Sequence, residues 1–171
     1  LWRPMIYYYC QGMSYEVVFH AIHPRKQEVI YEDRHVRVET VPLHHTVPTC
    51  GFLFYEEQQR VYEGERLSEW VKQYAYISDT RYKPSIVEQI RGVHTLYHEA
   101  TYTEQDAFRC ALTCHSTAKQ AAMIAQQAEV GELLIGHFSS RIDDHNLFLN
   151  EALEIFPRTR LAMERQSFEI A

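Results

Sequence analysis

Ten histidines in 171 residues are many, and imidazole is both the commonest metal-ligating side chain and the group that exchanges a proton near pH 7. Five short stretches set a histidine or a carboxylate among groups that can act with it. His45 follows Val41-Pro42-Leu43-His44 and suits either a metal ligand or a surface histidine beside a turn. Asp79, in Ser78-Asp79-Thr80, is placed to bridge metals or to cap the turn that follows. His98-Glu99 puts two ionisable groups directly after an apolar run. His115 precedes Ser116-Thr117, either of which can cap a helix, while the N–H groups there also suit a phosphate. A Glu–His pair such as Glu99 with His115 can hold an imidazole ready to protonate a leaving group. His137, in Gly136-His137-Phe138-Ser139-Ser140-Arg141, joins a ligand to phosphate-binding hydroxyls and a guanidinium, although a helix-entry loop reads the same way. Cys110 and Cys114 lack the second Cys or His pair of a zinc site and read as packing residues.

The elements that must position these groups are strands first, then strands alternating with helices. Tyr15 to Ala21, Glu28 to Tyr31, Val36 to Leu43 and Gly51 to Tyr55 are rich in β-branched and aromatic residues and predict an antiparallel meander. From Glu56 to Lys72 no period holds and glutamates dominate, which predicts a solvated connection or an abbreviated excursion. Strands are expected again at Tyr74 to Ile77, Thr95 to Tyr97, Glu132 to Ile135 and Arg160 to Met163. Helices are expected at Pro84 to Ile90, Glu104 to Leu112, Ser116 to Glu129 and Asn146 to Ile155. The third carries a stripe of alanines that lets it pack close to a sheet. The pattern implies an α/β layered architecture. His45, Asp79, Glu99 and His137 each fall at or just past a strand's C-terminal end, where α/β sheets collect their ligands.

Composition narrows the classes. Apolar residues make up 46% and charged residues 23%, enough for an ordinary core and against disorder. No apolar run approaches the ~18 residues of a membrane helix, and Leu1-Trp2-Arg3-Pro4 does not read as a signal peptide. The net charge of −6 argues against a nonspecific nucleic-acid coat, but not against a phosphodiesterase whose bound metals supply local positive charge. Four scattered cysteines (Cys10, Cys50, Cys110, Cys114) do not form a disulfide framework, so a reduced, cytoplasmic protein is expected.

Taken in order, Pro42-Leu43-His44-His45, Ser78-Asp79-Thr80, His98-Glu99-Ala100-Thr101, His115-Ser116-Thr117-Ala118-Lys119-Gln120-Ala121-Ala122 and Gly136 to Arg141 resemble the ribonuclease Z family. These are zinc-dependent endoribonucleases of the metallo-β-lactamase fold, an αββα sandwich, that remove the 3′ trailer from precursor tRNA. The resemblance implies that His45 and His137 are zinc ligands, one on each of two metals, with Asp79 bridging them. It implies that Glu99 and His115 form the pair protonating the leaving 3′-oxygen, and that Thr80, Ser139, Ser140 and Arg141 contact phosphate. Zn2+, with Mn2+ or Mg2+ as substitutes, precursor tRNA and a homodimer are the implied cofactors and partners.

Two departures qualify the resemblance. The family's His-X-His-X-Asp-His motif is absent, so residues 1–171 read as the C-terminal portion of one such domain with its N-terminal part missing. Where relatives carry a long arm that grips tRNA, residues 56–72 offer only an abbreviated site for it. Ile142 also stands where relatives usually have an aromatic residue. The alternative these departures suggest is a catalytically incomplete module of the same fold that binds RNA or dimerises.

Overall fold

In the computed structural model, which describes residues 7, 8, 12, 14–62 and 65–170, the β-branched and aromatic runs build one seven-stranded mixed sheet. The strands β1 (Val29–Glu32), β2 (Val36–Pro42), β3 (Cys50–Tyr62) and β4 (Glu65–Ile77) pair antiparallel in chain order. The strands β5 (Thr95–Glu99), β6 (Glu132–Gly136) and β7 (Thr159–Leu161) then add parallel to β4, again in order. Parallel neighbours need crossovers. The helices supply them: α1 (Val87–Ile90, after a 3-10 turn at Pro84–Ile86), α2 (Ala107–Thr113, after a 3-10 turn at Glu104–Asp106), α3 (Ala118–Gln127) and α4 (Asn146–Leu153).

The core lies on one face of this sheet. Leu53, Ala75, Leu96 and Leu133 are successive cross-strand partners, and with Val41, Ile77 and Ile135 they pack against helix residues such as Ile90, Ala121, Ala125 and Phe148. The alanine stripe of α3 is fully buried, as its small residues predict. Each buried Leu or Ile contributes about 1.5–3 kcal/mol. The opposite face carries rings, with Tyr76 stacked on Tyr97 at 4.8 Å and Phe54 beside Tyr74. Among the described residues no second sheet covers that face, so the expected αββα sandwich is represented by one of its two sheet-and-helix halves.

Strand direction decides where the chemistry collects. β4, β5 and β6 are parallel, so the chain leaves all three at the same edge. β2 is antiparallel to β3 and β3 to β4, so β2 ends at that edge too. The segments carrying His45, Asp79, Glu99 and His137 therefore converge.

One expectation fails and another is sharpened. Tyr15 to Ala21 forms no strand. Tyr15 and Val18 are exposed, and strand propensity expresses fit to a half-buried pleated surface, which this segment lacks. Glu56 to Lys72, expected as a solvated connection or an abbreviated excursion, is an antiparallel ribbon, paired from Phe52↔Tyr76 to Tyr62↔Glu65. Solvent bathes both of its faces, so no hydrophobic period marks it. The expectations for Leu1 to Pro4, Cys10 and Glu63 lie outside the described residues. Among the described residues no helix is long and apolar enough to cross a membrane.

Candidate functional site

Three residues at the common edge hold backbone conformations that non-glycine residues rarely adopt. Asp79 (φ 58°) and His137 (φ 62°) turn the chain sharply off β4 and β6, and Cys114 (φ 57°) closes α2 just before His115. Left-handed conformations at such residues cost free energy and concentrate at functional sites. Gly136 must lack a side chain, because a Cβ there would meet the Tyr97 ring and hydroxyl at about 3 Å or less.

Glu99 organises the floor. It is fully buried and accepts five hydrogen bonds: from Thr80 N (2.8 Å) and His115 Nδ1 (2.7 Å) on Oε1, and from Thr101 N (3.3 Å), Thr101 Oγ1 (2.6 Å) and Ser116 N (3.1 Å) on Oε2. Burial pushes its pKa up, but the bonds from His115 and Thr101 outweigh burial and hold it below the ordinary value. The same bond raises the pKa of His115, against the opposing effect of burial.

Three imidazoles share one design. A carbonyl oxygen and a carboxylate only accept, so His45 Nδ1–H donates to Cys114 O (3.1 Å) and His115 Nδ1–H to Glu99 Oε1. Thr101 has one hydroxyl proton, and Glu99 Oε2 takes it at 2.6 Å. The Thr101 oxygen therefore accepts from His137 Nδ1–H at 2.9 Å. Each Nδ1 is anchored, and each Nε2 is left for other work. This is how metal-ligating histidines are oriented. The rings form a row, His45 to His115 at 4.9 Å and His115 to His137 at 5.2 Å between centroids.

Asp79 faces the end of that row. Its Oδ1 stands 3.2 Å from His137 Nε2, close enough for an ion pair, yet this buried oxygen makes no hydrogen bond. With its Nδ1–H given to Thr101, His137 turns an Nε2 lone pair toward Asp79, and two lone pairs that face one another call for a cation between them. The ligand atoms offered by Asp79, His115 and His137 lie within 4.8 Å of one another. The donor set, imidazole with carboxylate, suits zinc and fits a bound divalent metal.

Other expected residues are placed differently. Thr80 is fully buried, and its hydroxyl donates to Arg81 O and accepts from His44 N, so it presents nothing to a phosphate. Thr117 caps α3 in a capping box with Gln120, and the Ser116 N–H is taken by Glu99, so the carboxylate occupies the place expected for an anion. Ser139 is half-buried, and Ser140 and Arg141 are exposed beside His137. His98 is buried and turned from the site, its Nδ1–H bonded to Glu99 O, and burial pushes its pKa down. Cys110 is a buried free thiol, as packing predicts. Sequence reasoning missed Thr101 as a tautomer-setting group and the Cys114 carbonyl as the anchor of His45. Only the position of Thr101 two residues after Glu99 hinted at the former.

No family model matches the chain. Over 99% of its length it is 42% identical to ribonuclease Z of Phocaeicola vulgatus and covers 67% of that relative. The chain belongs to the ribonuclease Z family. It is 40% identical to ribonuclease Z of Bacteroides thetaiotaomicron (99% of this chain, 65% of the relative) and 34% identical to that of Porphyromonas gingivalis (98% and 67%). It thus spans about two thirds of the length of the curated family members it matches. The fold is that of metallo-β-lactamase proteins. Human tRNase Z, short form, matches with a TM-score of 0.63 at 20% identity, covering 85% of this chain and 47% of that one. The metallo-β-lactamase fold protein YhfI from Bacillus subtilis matches at 0.62 and 17%, covering 78% and 48%.

Proposed function

We propose that the protein is a cytoplasmic zinc-dependent endoribonuclease that removes the 3′ trailer from precursor tRNA. The observation that supports this best is the row of three imidazoles with anchored Nδ1 atoms facing the unpartnered Asp79 oxygen. His45, Asp79 and His137 are the proposed ligands from this chain; the rest of the set implied by the family motif is not among these 171 residues. Zn2+, two per complete subunit, would polarise the phosphoryl oxygens and supply the nucleophile at neutral pH; Mn2+ or Mg2+ are substitutes.

His115 does the proton work. As water oxygen bonds to phosphorus, the P–O3′ bond breaks, and the proton on His115 Nε2 passes to the leaving O3′. Glu99, bonded at Nδ1, holds the ring in place and favours its charged form. Ser139, Ser140 and Arg141, half-buried to exposed just after His137, are the proposed phosphate contacts. The exposed ribbon at residues 56–72 stands as an abbreviated counterpart of the family's tRNA-gripping arm, and a homodimer is the proposed assembly.

The test is cleavage of a 3′-extended tRNA by the full-length gene product. Cutting on the 3′ side of the discriminator nucleotide, abolished by chelation and restored by zinc, is expected. Binding without cleavage under every metal would instead select the noncatalytic module.

A further inference from the structure

Asp79 Oδ1 and His137 Nε2 stand 3.2 Å apart, and a proton on Nε2 would close that gap as a hydrogen bond. Left to itself, a neutral imidazole beside a carboxylate takes that tautomer, because its N–H then has a charged acceptor. A site closed in this way must lose the proton before it can take a cation. Yet Asp79 Oδ1 is buried and makes no hydrogen bond, so the fold keeps the His137 proton elsewhere.

Thr101 is the group in position to do so. It is buried, and its hydroxyl oxygen lies 2.9 Å from His137 Nδ1 and 2.6 Å from Glu99 Oε2. Its backbone is tied to the strand end that carries His137: Ala100 N–H donates to Gly136 O (2.8 Å) and Ser139 N–H to Thr101 O (3.0 Å). A β-branched side chain is stiff at χ1, so the hydroxyl does not swing away. The Glu99 carboxylate can only accept, which forces the direction of the whole relay. His137 Nδ1–H donates to Thr101 Oγ1, and Thr101 donates its own proton to Glu99 Oε2. Without that carboxylate the hydroxyl could turn its proton onto Nδ1 and leave the ring's proton on Nε2, against Asp79.

We propose that Thr101 is a positioning residue that holds the metal site open, keeping the His137 proton on Nδ1 so that His137 and Asp79 cannot close on each other. The inference rests on the functional reading above for the metal, but not for the tautomer. It gives Glu99 a second task. From Oε1 the carboxylate holds His115 directly, and from Oε2 it sets His137 through Thr101. His137 gives up a charged acceptor at Asp79 for a neutral hydroxyl, and the short charge-assisted bond from Thr101 to Glu99 offsets that loss. The carboxylate–histidine arrangement that orients metal ligands is thus present with a hydroxyl inserted in it.

The experiment compares full-length wild type, Thr101→Val and Thr101→Ser. Each is stripped of metal, and the neutral histidine rings are read by nitrogen NMR, the His137 signals being those lost in His137→Gln. Wild type and Thr101→Ser are expected to carry the His137 proton on Nδ1, and Thr101→Val on Nε2. Zinc affinity, measured by competition with a chromophoric chelator, is expected to fall about ten- to a hundredfold in Thr101→Val. Thr101→Ser should restore it to within about threefold of wild type, because the hydroxyl alone carries the effect. A wild-type ring protonated on Nε2 would overturn the proposal with no variant needed, so poor folding of Thr101→Val does not shield it. Wild-type zinc affinity in Thr101→Val would overturn it as well. So would equal losses in Thr101→Val and Thr101→Ser, the pattern of a residue that only packs. Wild type that takes up no zinc would refute the functional reading instead, and the ring spectra of the metal-free protein would still judge Thr101.

Discussion

The strand-end site and the distal half of the β3–β4 ribbon are both made of polar residues, yet they use them in opposite ways. At the site, Thr80, Glu99 and Ser116 are fully buried and bonded to one another across three chain segments. In the ribbon, Arg60 and Glu69 pair at 3.0 Å in open solvent, and Val61 and Tyr62 are exposed. Buried polar groups are costly unless all are satisfied, so each bond at the site is coupled to the others. Exposed pairs are nearly independent of the fold. The same residue types therefore predict large, coupled effects at one place and small, additive ones at the other.

The strongest challenge to that contrast is Glu99→Ala. It strands five donor contacts in a buried space, each orphaned donor costing about 1–3 kcal/mol. A loss of several kcal/mol in urea unfolding is expected. A loss under about 1 kcal/mol would mean that water or another group already satisfies those donors.

Within the site, Asp79→Ala and His115→Ala separate holding metal from moving a proton. Asp79→Ala should release bound metal, measured by elemental analysis. His115→Ala should keep metal near the wild-type content and slow cleavage about 10²–10⁴-fold. The ligand atom of His115 lies within 4.8 Å of those of Asp79 and His137, so loss of metal from His115→Ala would make it a ligand and remove it as the acid.

The Glu99–His115 pair also sets a pH window for the stability of metal-free protein. The folded pKa of Glu99 is lowered, so its contribution is complete above its ordinary value of 4.5 and is lost as pH falls through the lowered value. The folded pKa of His115 is raised, so its contribution is complete below its ordinary value of 6.5 and is lost as pH rises through the raised value. Stability is expected to be greatest between those two values and to fall on either side. His115→Ala should remove the alkaline fall, which chemical denaturation across pH will show.

How much of this could be read beforehand differs between the two regions for the same physical reason. His45, Asp79, Glu99 and His137 were legible because apolar strand runs stop at them, and parallel strands bring such stops to one edge. What joins them was not legible. The Thr80 N–H, the Thr101 hydroxyl and the Ser116 N–H meet at Glu99 from three segments, and no local pattern records which of these donors turns inward. The strands of the ribbon were hidden for a different reason. A strand advertises itself by burying alternate residues, and Glu56 to Lys72 buries few on either face. Tyr15 to Ala21 is the converse: residues of strand-forming type that take no strand in the structure.

The smallest expected effect is the sharpest check on the ribbon. Arg60 is two-thirds exposed and Glu69 half exposed, so breaking their pair with Arg60→Ala should change unfolding stability by less than about 0.5 kcal/mol. Two long side chains surrender rotamer freedom to hold that pair, and water and salt screen what they gain. The same substitution in the full-length protein is expected to leave kcat on a 3′-extended tRNA unchanged, because among the described residues Arg60 pairs with Glu69 and with no site residue. A stability loss above about 1 kcal/mol would mean that the tip is covered in the folded protein and that its exposed arginine and glutamate are in truth an interface.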